Sequence, residues 1–85
     1  MNDIEVLEAV IDEYSKAVSH YPPFASAHEG LAVLQEEFEE LKAEVFKNNH
    51  NRDYEAMRKE AIQVAAMALR FILEVKPKVG SAEAL

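Results

Sequence analysis

Five glutamates fall within nine positions of this chain, Glu36, Glu37, Glu39, Glu40 and Glu44 in the stretch LQEEFEELKAEVF. A second polar pair, Glu60 and Gln63, interrupts a segment that is otherwise apolar, AIQVAAMALRFIL and the residues before it. Carboxylates held close together repel, and each raises the cost of ionising the next. A divalent cation removes that cost. Mg²⁺ suits the task, because it takes hard oxygen ligands, is held through one or two carboxylates, and completes its shell with water and phosphate oxygens. An acidic ladder beside an apolar seam is also the ordinary wet side of a helix. What separates the two readings is whether glutamates from different helices converge.

The elements that must position these residues are three helices. Ile4, Leu7, Ile11, Tyr14, Val18 and Tyr21 recur at steps of three and four, the seam of an amphipathic helix. Asn2 followed by Glu5 resembles a capping box at its start, and Pro22-Pro23 stop it near His20. Ser26 and Glu29 stand in the S-x-x-E relation that opens a second helix, whose seam is Leu31, Leu34, Phe38, Leu41 and Val45. Residues 48–51, NNHN, prefer turns and end it, and Asp53 is the expected N-cap of a third helix over roughly Tyr54 to Val75.

At about 100° per residue, Glu37, Glu40 and Glu44 form a ladder along the border of the second helix's seam, while Glu36 and Glu39 point further toward solvent. Glu60, Gln63, Met67 and Arg70 share one stripe of the third helix. Buried polar groups need partners, so this stripe should face groups that satisfy it. Antiparallel packing of helices two and three could set it against the ladder; an internal ion pair of Glu60 and Arg70 and a satisfied core amide at Gln63 are the plainer alternatives.

The third helix carries apolar residues around most of its circumference and so demands burial nearly all round. Three helices in 85 residues cannot wrap it. The expected fold is therefore all-α, a helical bundle with three main helices per chain completed by dimerisation, with Ala61, Ala65 and Ala68 letting a facing helix approach. Residues 1–76 form the single domain, and 77–85 are read as a flexible tail after Pro77.

Composition narrows the function classes. The net charge of -7 argues against non-specific nucleic-acid binding, which needs Lys and Arg to neutralise phosphates, and implies that a polyphosphate would arrive with a cation. No run approaches the roughly 18 apolar residues of a membrane span, and the acidic start MNDIEVLEAVIDEY is unlike a signal peptide. The lack of cysteine excludes disulfides and thiolate chemistry and fits a cytoplasmic protein. His20, His28 and His50 have no metal-ligand spacing and read as surface or capping residues, and no glycine-rich phosphate loop is present.

Glu36-Glu37-Phe38-Glu39-Glu40 on one helix, followed after a loop by Glu60-Ala61-Ile62-Gln63 on the next, resembles the paired E-E-x-x-E and E-x-x-D motifs of the MazG-type, all-α nucleoside triphosphate pyrophosphohydrolases. The resemblance covers roughly residues 26 to 75 and includes the lead HEGLAVLQ. It implies Mg²⁺, or Mn²⁺ in its place, held by Glu37, Glu40 and Glu60, with Glu36 a nearby ligand and Glu37 and Glu40 as the catalytic candidates. It also implies hydrolysis of a nucleoside triphosphate to a monophosphate and pyrophosphate, in a homodimer or higher homo-oligomer. Gln63 stands where the family has Asp: an amide oxygen can coordinate a metal but brings no charge and cannot act as a carboxylate base. A branch with altered or lost activity is thus an alternative, as is a non-catalytic acidic helical protein that engages a partner. Lys42, Lys47 and Arg58 are candidate phosphate contacts, with Arg52 and Lys59 nearby. Tyr21, Phe24 and Tyr54 are candidate stacking groups, although packing accounts for them equally simply.

Overall fold

The computed structural model describes residues 1–47 and 50–77. It contains three helices, α1 (Asp3–His20), α2 (Ala27–Val45) and α3 (Tyr54–Glu74), and no strand among the described residues. Their starts follow local chemistry. The Asn2 carboxamide accepts from the Glu5 N–H at 2.9 Å while the Glu5 carboxylate accepts from the Asn2 N–H at 3.3 Å, a reciprocal capping box. At α2 the Ser26 hydroxyl accepts from the Glu29 N–H, but the Glu29 carboxylate reaches Ala25, one residue short of the cap. Asp53 caps α3 by accepting from the Glu55 and Ala56 N–H groups. Of the expected NNHN turn, His50 and Asn51 lie in turns and residues 48–49 fall outside the described residues, as does the tail from residue 78.

Both α1 and α2 pack on α3 and not on one another. Gly30 meets Phe71 and the α2 glutamates meet Glu60, so α2 runs antiparallel to α3. Glu13 lies by Gln63 and Pro22 by Arg70, so α1 runs parallel to it. The result is one layer of helices in the order α1, α3, α2. Two close approaches hold it. A Cβ on Gly30 would lie 2.8 Å from a Phe71 ring carbon and 3.1 Å from Phe24, so only glycine admits both rings there.

The second is a buried guanidinium. Arg70 is 3% exposed and donates from Nε and Nη2 to the two Glu74 oxygens, both at 3.0 Å, and from Nη2 to the Pro22 carbonyl at 3.0 Å. It also stands 4.1 Å over the Phe24 ring, and the Phe24 N–H donates to Glu74. This lattice ties the α1–α2 connection to the end of α3. Arg70 therefore pairs with Glu74, one turn on, and not with Glu60, which lies about 15 Å away along the helix.

The α1 seam behaves differently from its periodicity. Ile4, Leu7, Ile11 and Val18 are exposed, and α1 turns Ala9, Val10, Glu13, Tyr14 and Ala17 toward α3. This rotation brings Glu13 to Gln63, and the Pro22 carbonyl adds a third hydrogen bond to an Arg70 already held by Glu74. Only Gly30, Ala66, Met67 and Arg70 are buried among the described residues. As the apolar circumference of α3 foretold, Ala61, Ala65, Ile72 and Leu73 stay uncovered.

Candidate metal centre

The central glutamates converge from two helices. One carboxylate oxygen from each of Glu37, Glu40 and Glu60 lies within 4.8 Å of the other two. Octahedral Mg²⁺ at about 2.1 Å places its ligand oxygens roughly 3 Å apart when adjacent and 4.2 Å apart when opposite, so small side-chain adjustments suffice to bring these three onto one ion. Glu37 and Glu40 are one step of three apart on α2, and antiparallel packing delivers Glu60 to them from α3.

The electrostatics are those of uncompensated charge. Burial first, then the Glu40, Glu60 and Glu36 carboxylates, push the Glu37 carboxyl up to about 7. Glu60 is likewise raised, chiefly by burial and then by Glu40 and Glu44, with Lys59 opposing. None of the ion pairs among the described residues reaches Glu37, Glu40 or Glu60. Next to them, Glu44 Oε2 is buried without a hydrogen-bond partner, its other oxygen taken by Lys47 at 2.6 Å. Hard oxygen donors and an orphaned carboxylate oxygen, with Lys59 offsetting part of the charge at Glu60, form a donor set that fits a hard divalent ion.

Glu37 also lines a groove of about 740 Å³ that runs over α3 between α1 and α2. Gln63, Met67 and Arg70 form its floor, so the polar stripe of α3 opens into this space rather than onto the ladder alone. Glu36 lines the α2 wall. Gln63 is engaged from the other side: hydrogen bonding from its amide is the main reason that the Glu13 carboxyl lies below the usual range, with Lys16 assisting. Glu13, Lys16 and His20 bring α1 into the wall of the groove. The sequence reading did not single out Glu13 and Lys16; their one signal was a position beside the α1 seam.

The expected phosphate contacts are placed apart. Lys47 pairs with Glu44, Arg58 pairs with Glu55, and the Lys42 ammonium stands 5.8 Å over the Phe46 ring; none of the three lines the groove beside Glu37. Tyr21 and Phe24 do line it, but one face of Phe24 is occupied by Arg70; Tyr54 is exposed at the start of α3, outside the groove. No helix among the described residues is long and apolar enough to cross a membrane. Compared with protein-family models, curated proteins and solved structures, the chain matches none.

Proposed function

We propose that the chain is a Mg²⁺-dependent nucleoside triphosphate pyrophosphohydrolase of MazG type, or a degenerate relative that keeps the metal or nucleotide site, working in the cytoplasm as a homodimer or higher homo-oligomer. The observation that carries this reading is the convergence of the Glu37, Glu40 and Glu60 carboxylates from two helices. These three would hold Mg²⁺, or Mn²⁺, with Glu36 able to reach a bound water and Gln63 offering an amide oxygen from the groove floor. When bound, the ion supplies charge neutralisation at the triphosphate and a lowered pKa for a coordinated water. The chain's own contribution is orientation. Glu37, which lines the groove as well as belonging to the cluster, would orient a water for attack on the α–β linkage. Glu40 and Glu60 fix the geometry around it, and the groove beside Glu37 gives room for the nucleoside.

Release of pyrophosphate from each of the common nucleoside triphosphates, with and without Mg²⁺, tests the reading. Glu37→Gln and Glu40→Gln should abolish release and leave the helices intact. A wild-type protein that releases no pyrophosphate and gains no thermal stability from Mg²⁺ removes both the enzyme and its metal-binding relative.

A second reading, a non-catalytic acidic helical protein that engages a partner, draws on one observation: Lys47 and Arg58 are already paired with glutamates of their own neighbourhood. It predicts that charge-neutral Gln replacements at Glu37 and Glu40 leave function unchanged.

A further inference from the structure

We infer that Arg70 selects the base of the nucleotide in the groove, taking bases that present a keto oxygen where adenine and cytosine present an amino group. The inference rests on the reading of the groove as a nucleotide site and adds the group that chooses among nucleotides.

The starting observation is a buried cation with one nitrogen unused. Arg70 is 3% exposed and stands on the floor of the groove. Its Nε donates to Glu74 Oε2, and Nη2 spends its two N–H groups on Glu74 Oε1 and the Pro22 carbonyl. Nη1 carries two more N–H groups and meets the Met67 thioether at 4.0 Å, a weak acceptor. Buried donors without a good acceptor are costly, and a ligand oxygen at Nη1 removes that cost. The direction of these donors is also set. Met67 lies between Arg70 and Gln63 on the floor, so Nη1 turns back along α3, into the groove and toward its acidic end.

The length of the groove suits a nucleotide laid along it. Gly30 of α2 meets Phe71, and Glu37 stands seven residues further along α2, so about 10 Å of groove separates Glu37 from the level of Arg70. Phosphates held at the Glu37 end therefore bring the base to the Arg70 end. Tyr21 and Met67 give that end apolar surface for a flat ring, and the Phe24 ring 4.1 Å from the guanidinium keeps Arg70 from turning away. A keto oxygen has two lone pairs and accepts from both Nη1 hydrogens, as O6 of guanine and O4 of uracil can. Adenine and cytosine set an exocyclic NH₂ at the same place, which meets Nη1 donor to donor and leaves both groups unpaired. Glu29 also lines this end, but it is exposed and its carboxylate accepts from the Ala25 N–H, so the buried donor sets the selection.

Two pairs of nucleotides isolate the contrast. Inosine and adenosine triphosphates oppose keto to amino on a purine, and uridine and cytidine triphosphates do so on a pyrimidine. With Mg²⁺ present, kcat/KM for pyrophosphate release should favour the keto member of each pair by about tenfold or more. Calorimetric binding of the same four nucleotides reads the same preference without turnover. Arg70→Lys keeps a cation for Glu74, and Met67→Gln gives Nη1 an amide oxygen within the chain; each should bring both ratios close to one. Every ratio is taken within one variant, so a loss of folded protein cancels. Equal values within each pair in the wild type would overturn the inference and leave the hydrolase reading standing. A tenfold preference in binding without pyrophosphate release would support the inference and remove the hydrolase. No binding of any of the four, or the full preference retained in both variants, would overturn it.

Discussion

Replacing Glu37 by Gln should stabilise the protein, and the gain should depend on pH in a defined direction. Glu37 is raised from an ordinary 4.5 to about 7 in the folded chain, first by burial and then by the neighbouring carboxylates. Below about pH 4 the group is protonated whether the chain is folded or not, so it imposes no penalty. Between the ordinary value and about 7 the unfolded chain releases its proton first, the folded chain binds more protons, and stability falls as pH rises. Above about 7 the penalty is complete. The gap alone corresponds to a ceiling of about 3 kcal/mol. Glu37 is only half-buried, and water screens its neighbours, so about 1 kcal/mol is the working figure. Glu37→Gln keeps the shape and removes the charge. It should therefore match wild type near pH 4 and exceed it by about 1 kcal/mol near pH 8, an increase in Tm of about 4–8 °C for a chain of this size. Thermal unfolding followed by circular dichroism at one fixed protein concentration measures this. Saturating Mg²⁺ should reverse the order, because only the wild type keeps the full ligand set. An equal advantage at both pH values, or none at either, would refute the account of charge crowding at Glu37.

Other changes probe the remaining parts of the structure. Gly30→Ala gains about 1 kcal/mol in helix propensity but drives a methyl group into Phe71 and Phe24, and a net loss of about 1–2 kcal/mol in chemical denaturation is expected. Arg70→Met strips the partner from a mostly buried Glu74 and should cost about 3 kcal/mol, with the proton uptake of Glu74 moving up toward the ordinary carboxylate range by NMR titration. Gln63→Asp adds a carboxylate to the floor of the groove that Glu37 lines: Mg²⁺ affinity measured by calorimetry should rise, and no change would count against Gln63 as a ligand position.

Much of the fold was legible along the chain because its causes are local. Asn2, Ser26 and Asp53 cap the three helices through hydrogen bonds to N–H groups two or three residues away, and Pro22-Pro23 follow directly on the end of α1. The ladder of Glu37 and Glu40 was likewise visible, since one helix fixes their relative direction. Gln63 was expected on the stripe that faces the ladder; the amide instead engages Glu13 of α1, and no period within α3 contains that information. The Pro22 carbonyl at Arg70 was not legible for the same reason, since it depends on how the α1–α2 connection crosses the end of α3, whereas Glu74 stands one turn on along α3, within the helical period.

By itself, then, the sequence determined which residues are helical, where each helix begins and ends, and which glutamates share a face, all consequences of backbone hydrogen bonding and helical period. Only the tertiary structure decided that Glu60 meets Glu37 and Glu40, since convergence depends on the antiparallel setting of α2 against α3. It also decided which way α1 faces. The heptad of Ile4, Leu7 and Ile11 predicts burial but names no partner, and in the folded chain that seam is exposed while Glu13 of α1 lies at Gln63.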